Sequence, residues 1–115
     1  MWNIVFYRKE DGTIPVKDFL EELPAKHHAR ALRDIEALER YGPTLTAPHV
    51  KHIRGKLWEL RIKSANDISR IFYFIYARRG IILLHGFIKK TQKTPIREIE
   101  KATTYLEDYL RRNRT

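Results

Sequence analysis

Between residues 2 and 8 the apolar side chains Trp2, Ile4 and Phe6 fall on alternate positions, the period of a short strand with one covered face. Asp11-Gly12 supplies the turn that ends it. Pro15 stands where a helix can begin, and Val16, Phe19, Leu20 and Leu23 keep helical spacing until Pro24 interrupts them. A second helix, starting at about Pro24, places Ala31, Leu32, Ile35 and Leu38 on one stripe, with Arg30, Arg33, Asp34 and Glu36 largely outside it. Gly42-Pro43 stops that helix. Residues 43–56 contain Pro43, Pro48 and Gly55 and few bulky apolar side chains, a pattern that predicts a loop running into the sheet. Three apolar segments follow, 57–63, 68–76 and 81–89, joined by Ser64-Ala65-Asn66-Asp67 and Ala77-Arg78-Arg79-Gly80. Connections that short predict antiparallel hairpins. Thr94 and Pro95 then read as N-cap and first residue of a last helix with Ile99, Ala102, Leu106 and Tyr109/Leu110 on its apolar stripe, before a tail over 111–115 that frays. The expected order is βααβββα: residues 1–115 form one α+β domain with helices packed on an antiparallel sheet.

Charge adds what the hydrophobic pattern leaves out. The 115-residue chain carries a formal +9. Eleven basic residues between Lys51 and Lys93 face two acidic ones, Glu59 and Asp67, so this stretch holds the whole net charge and the flanks balance. Unopposed cations repel one another unless a polyanion screens them, so the stretch points to a phosphate-binding surface rather than a merely solvated one. The absence of cysteine excludes disulfides, thiolate zinc sites and a cysteine nucleophile. No segment is both apolar and long enough to span a bilayer, and the start of the chain has no charged region before an apolar run, so a cytoplasmic protein without membrane contact is expected. Of five histidines, His49 and His52 alone have a ligand-like spacing, and no carboxylate or thiolate lies near them in sequence, so neither a metal nor another cofactor is expected. His85, in an apolar strand, reads as a core histidine with its polar atoms satisfied, or as an acid if it faces the arginines.

The chemistry-bearing candidates follow from strand alternation. Trp58, Leu60 and Ile62 share one face, which puts Glu59, Arg61 and Lys63 on the other. If the four-residue turn pairs Lys63 with Ile68, Arg61 lies opposite Arg70, an arrangement that destabilises a sheet unless an anion lies between the two guanidinium groups. The alternative is that one of these arginines forms a structural ion pair with Glu59. Lys89 and Lys90 end the next strand, from which at least one can reach the same surface. Lys51, Arg54, Lys56, Lys63 and Lys93 supply further phosphate contacts around it. Phe72-Tyr73-Phe74-Ile75-Tyr76 reads mainly as core, with Tyr73 or Phe87 able to stack a base if exposed.

Three segments together, Leu57-Trp58-Glu59-Leu60-Arg61, Ser69-Arg70-Ile71-Phe72-Tyr73 and Leu84-His85-Gly86-Phe87-Ile88-Lys89-Lys90-Thr91-Gln92-Lys93-Thr94-Pro95, resemble the phage-derived HigB-like branch of the RelE/ParE toxin superfamily. The resemblance covers nearly the whole chain, and the last segment is its most specific part. It implies a RelE-like fold, metal-independent cleavage of messenger RNA, commonly on the ribosome, and neutralisation by a helix-turn-helix antitoxin. It carries a catalytic set onto Glu59, Arg61, Arg70, Lys89 and Lys90. Glu59 is then expected as general base for the substrate's 2′-hydroxyl, Arg61 and Arg70 as phosphate clamps, and Lys89 or Lys90 as charge stabiliser or acid. Lys51, Arg54, Lys56, Lys63 and Lys93 become RNA contacts. One departure stands out: some RelE relatives place a tyrosine or histidine at or just past the last strand, and here Thr91 to Ile96 offer neither. The rival expectation is a binding module: a gyrase-directed toxin of the same fold or an RNA-binding protein without cleavage. A basic phage structural protein is a third.

Overall fold

The computed structural model describes residues 1–114. Its elements are β1 (Asn3–Phe6), α1 (Pro15–Glu21), α2 (Ala25–Tyr41), a 3-10 turn (Gly42–Thr44), β2 (Val50–Arg54), β3 (Leu57–Ser64), β4 (Asp67–Tyr76), β5 (Gly80–Lys89) and α3 (Ile96–Arg112). The class is α+β, with three helices on a five-stranded sheet of order β1-β5-β4-β3-β2. This architecture is compatible with a RelE-like fold.

Two features of the expected order are corrected. The stretch 43–56 is not all loop, because Val50–Arg54 pairs antiparallel with β3 as an edge strand. A bulge between His52 and Arg54 breaks its alternation. Its tight turn runs through Gly55, whose φ of +52° favours glycine. The sheet is also mixed rather than antiparallel, since β1 lies parallel to β5 with Ile4 beside Ile81. The expected register of the central hairpin holds: Lys63 pairs with Ile68 and Arg61 with Arg70.

Both faces of the sheet are covered. On the first, Val16 and Leu20 of α1 and Ala31, Ile35 and Leu38 of α2 pack on Leu60, Ile62, Ile71, Tyr73 and Leu83. Leu32, expected on that stripe, is 48% exposed. His27 takes the inward position one turn earlier, joined to buried Ser69 by a 2.8 Å hydrogen bond. On the second face, Ala102 and Leu106 of α3 cover Leu57, Phe72, Phe74, Ile82 and Leu84. A second bulge, at the step from Phe72 to Tyr73, lets Leu84 and His85 both serve this face and increases its apolar content.

α3 is tied down at both ends. Its last turn is not frayed: Asp108 accepts the Tyr7 hydroxyl at 2.6 Å and bonds Arg111 and Arg112, while Thr115 lies outside the described residues. At the other end the cap residue is Pro95, not Thr94, and Thr94 turns its hydroxyl into the sheet. Because α3 covers the Leu57, Phe74 and Leu84 end of the second face, the end carrying Arg61, Arg70 and Lys89 is left open as a cavity.

Close packing of α1 on β5 depends on Gly86. A Cβ there would lie 2.4 Å from the Phe19 ring, below any tolerated contact. Gly86→Ala is expected to cost about 1–3 kcal/mol through overpacking, read as a lower urea midpoint with an unchanged slope. An unaltered midpoint would mean that α1 is held elsewhere.

Candidate anion-binding site

The open end of the second face is built from three strands. Arg61 of β3 and Arg70 of β4 are direct cross-strand neighbours. Lys89, opposite Ile68, ends β5, and Lys90 follows it. These residues, with Ile68, Thr91 and Gln92, line a cavity of about 450 Å³. The sheet pleat brings Arg61, Arg70 and Lys89 to one side because they occupy same-face positions of adjacent strands.

Glu59 lies on the same face two residues before Arg61, yet it has no exposed surface and does not line the cavity. The Thr94 hydroxyl donates to Glu59 Oε1 at 3.0 Å. Glu59 Oε2 faces Arg70 Nε at 3.8 Å, close enough for strong attraction but too long for a hydrogen bond, and both buried atoms lack any hydrogen-bond partner. A paired charge that leaves its donor and acceptor unsatisfied is held by its surroundings, not by its own geometry. The structural ion-pair alternative therefore describes Arg70 and Glu59 in part, and the facing Arg61 and Arg70 coexist with it.

This crowding shifts proton affinities. Burial lowers the Lys89 ammonium below the ordinary lysine value, with Arg70, Lys51 and Arg61 adding to the effect and Glu59 opposing it. Arg70 is likewise lowered by burial, offset by Glu59, with Arg61 lowering it further. A cavity whose cations depress one another attracts an anion that would relieve them.

The structure brings Arg61, Arg70, Lys89 and Lys90 together and places Lys51 of β2 close by, opposite Glu59 in the ladder. Arg54 instead reaches α3, donating to Thr103 Oγ1 at 3.3 Å. Lys56 sits in the β2–β3 turn, Lys63 is exposed two pairs beyond Arg61 and Arg70, and Lys93 is exposed in the loop before α3. None of these four lines the cavity. Thr91, Gln92 and Thr94 were not expected there. Their signal was local, since the Lys89–Thr94 stretch joins a site strand to the next helix, but Thr-Pro reads first as a helix cap.

His85 does not face the arginines as an acid. Its Nε2–H donates to Glu98 Oε1 at 2.6 Å, and its ring stacks on Phe72 and Phe87. Tyr73 and Phe87 are 4% and 8% exposed, which removes both as base-stacking platforms. His52 donates through Nε2 to the Gly55 carbonyl at 2.8 Å. Among the described residues no three His, Cys, Asp or Glu side chains cluster closely enough to hold a metal ion. Among them, too, no helix is long and apolar enough to cross a membrane.

Fold and site together define a small α+β protein with a cavity lined by arginines and lysines at one end of its sheet. Residues 18–107 match the family described as phage derived protein Gp49-like (DUF891), and the chain belongs to that family. It is also 34% identical over 99 residues to the probable endoribonuclease HigB1 of Mycobacterium tuberculosis strain CDC 1551 / Oshkosh, covering 84% of this chain and 76% of the relative. The HigB1 of strain ATCC 25618 / H37Rv matches with the same identity and coverage. The family is thus of the RelE/HigB type, with no particular branch singled out.

Two outcomes follow. Arg70→Ala strands the buried Glu59 carboxylate with Thr94 as its remaining close partner and is expected to destabilise the fold by about 3 kcal/mol, near the low end for breaking a buried pair. Arg61→Ala removes only a repelling neighbour, so its melting temperature should stay level or rise slightly; equal losses in both variants would show that no asymmetry exists. A separate test concerns pH. Burial holds His85 below its ordinary value of 6.5, outweighing Glu98. The unfolded chain then binds the proton more readily, so the stability from neutral His85 is complete above 6.5 and is lost as pH falls toward the lower folded value. Urea midpoints at about pH 7.5 and about pH 5.5 should differ more for the wild type than for His85→Gln; identical pH slopes would exclude His85 as the source.

Proposed function

We propose that the chain is the toxin of a type II toxin–antitoxin pair, an endoribonuclease that cleaves messenger RNA in the cytoplasm. In this reading residues 1–115 act as one domain, the ribosome is where the message is met, and a helix-turn-helix antitoxin silences the cut. The observation that carries the proposal is the cavity wall on which Arg61, Arg70, Lys89 and Lys90 converge, with no carboxylate among its lining residues. The 34% identity to a protein named a probable endoribonuclease supports the same reading.

The reaction needs no metal in this proposal, because the RNA supplies its own nucleophile, the 2′-hydroxyl. Arg61 and Arg70 bind the scissile phosphate and stabilise the charge of the pentacoordinate phosphorane. Glu59, buried beneath the cavity, is a positioning residue for Arg70 instead of the base first expected of it. Proton transfer then falls to the lysines. Lys89, lowered by burial and by Arg70, accepts the 2′-hydroxyl proton, and Lys90 gives one to the departing 5′-oxygen. The 2′-oxygen bonds to phosphorus as the 5′-oxygen leaves, yielding a 2′,3′-cyclic phosphate and a 5′-hydroxyl. Lys51, Arg54, Lys56, Lys63 and Lys93 guide the flanking strand by charge.

Expression alone should arrest growth, co-expression of the adjacent small gene should restore it, and new transcript 5′ ends should appear on induction. Lys89→Arg keeps the positive charge but resists deprotonation, so it should retain RNA affinity while cutting at least about a hundredfold more slowly. In the wild type kcat/KM should rise with pH toward a limit below the ordinary lysine value. A Lys89→Arg protein that cuts at the normal rate would remove Lys89 as the base.

A further inference from the structure

Arg61 and Arg70 line a second cavity as well as the first. It measures about 560 Å³ and lies between the segment 43–48 and the β2–β3 edge. Its walls are of another kind. Leu45, Pro48, Val50 and Trp58 present apolar surface, while Lys51 and His52 add polar atoms, and no acidic side chain is among the residues that line it. Trp58 and His52 are cross-strand partners whose rings lie 4.9 Å apart, and the His52 bond to the Gly55 carbonyl fixes the imidazole in place.

A nucleotide couples a flat, largely apolar base to an anionic phosphate through a short sugar. Trp58 and His52 project from the sheet face opposite Arg61 and Arg70, and the second cavity is lined from both faces at the β2 edge. The cationic and the aromatic surfaces therefore meet there around a shared pair of arginines and reproduce that coupling. Single-stranded RNA is commonly read by stacking unpaired bases on aromatic side chains while cations track the backbone. The second cavity also falls within the size range of small-ligand sites. We propose that it receives one RNA base, next to a phosphate held by Arg61 and Arg70, an inference that rests on the RNA-cleaving reading. Trp58 and His52 are its stacking and specificity-determining residues, and the segment 43–48 closes it from the side. Tyr73 and Phe87, the other aromatic candidates on the strands that carry Arg70 and Lys89, are buried and cannot serve.

The chain has two tryptophans, Trp2 and Trp58, so the full-length Trp2→Phe variant reports on Trp58 alone. A 2′-deoxy trinucleotide lacks the nucleophile and serves as an uncleavable probe. It should quench Trp58 emission saturably, whereas inorganic phosphate at the same concentration should not. His52→Ala, at an exposed position, should weaken that binding by about tenfold. On RNA the same substitution should raise KM by a similar factor and broaden the base distribution beside the cut. Unchanged emission, or equal quenching by phosphate alone, overturns the base site. So does an unaltered cut-site distribution in His52→Ala with cutting intact. A protein that is quenched by the trinucleotide yet never cuts RNA keeps the base site and defeats the nuclease reading, so the two fail separately.

Discussion

Two guanidinium groups facing each other across an antiparallel ladder repel, and the two-residue turn Ala65-Asn66 between β3 and β4 places Arg61 and Arg70 in that position. A slip of one residue would exchange their face with that of Leu60, Ile62, Ile71 and Tyr73, which is buried under α1 and α2, so the core enforces the repulsion. Hydrophobic burial on one face therefore supplies the free energy that holds like charges together on the other. Glu59 tempers the cost. Placed beneath the pair and held by Thr94, it attracts Arg70 without forming a hydrogen bond with it. The result is a cavity whose cationic side chains are held in place by the fold itself.

α3 decides where that cavity lies. Its stripe covers Phe74 and Leu84, and its tie to Tyr7 through Asp108 sets one end of the helix against β1. Glu98 near its start bonds His85, and Thr94 just before it reaches Glu59. The helix and the site consequently share one connecting stretch, 90–95, whose first half lines the cavity and whose second half fixes the buried carboxylate. A movement of α3 would be felt first at Glu59 and then at Arg70.

Much of this was legible in the sequence because it depends on local rules. Alternation along 57–63 and a turn of fixed length suffice to set Arg61 against Arg70, and Pro15 and Gly42 mark helix ends by backbone preference alone. What stayed hidden depends on distant partners. Val50–Arg54 has a bulge that erases its period, and β1 gains its parallel neighbour from the far end of the chain. Alternation tells which face Glu59 occupies, but not that Thr94 and Arg70 enclose it. His27 was hidden for a related reason: a polar residue joins a core stripe only when a partner such as Ser69 is supplied by another element.

The burial of Glu59 changes the chemistry that the cavity can support. A carboxylate beneath the surface stabilises the adjacent cation but cannot reach a proton on a bound substrate without displacing Thr94 or Arg70. In the proposed reaction acid–base work then belongs to side chains on the wall, where Lys89 is partly buried among Arg70, Lys51 and Arg61 and Lys90 is exposed. Desolvation and like charge both favour the neutral amine at Lys89. In the proposed reaction the arginines that would hold the phosphate also increase the free-amine fraction of Lys89, so binding and proton transfer draw on one electrostatic arrangement. Negative charge growing on the phosphorane would partly offset the shift, so a proton that Lys89 has accepted is held more firmly as the reaction proceeds. A lysine whose proton affinity is lowered by burial and by its cationic neighbours, and raised again as negative charge grows beside it, has the response that removal of a hydroxyl proton requires in the proposed reaction.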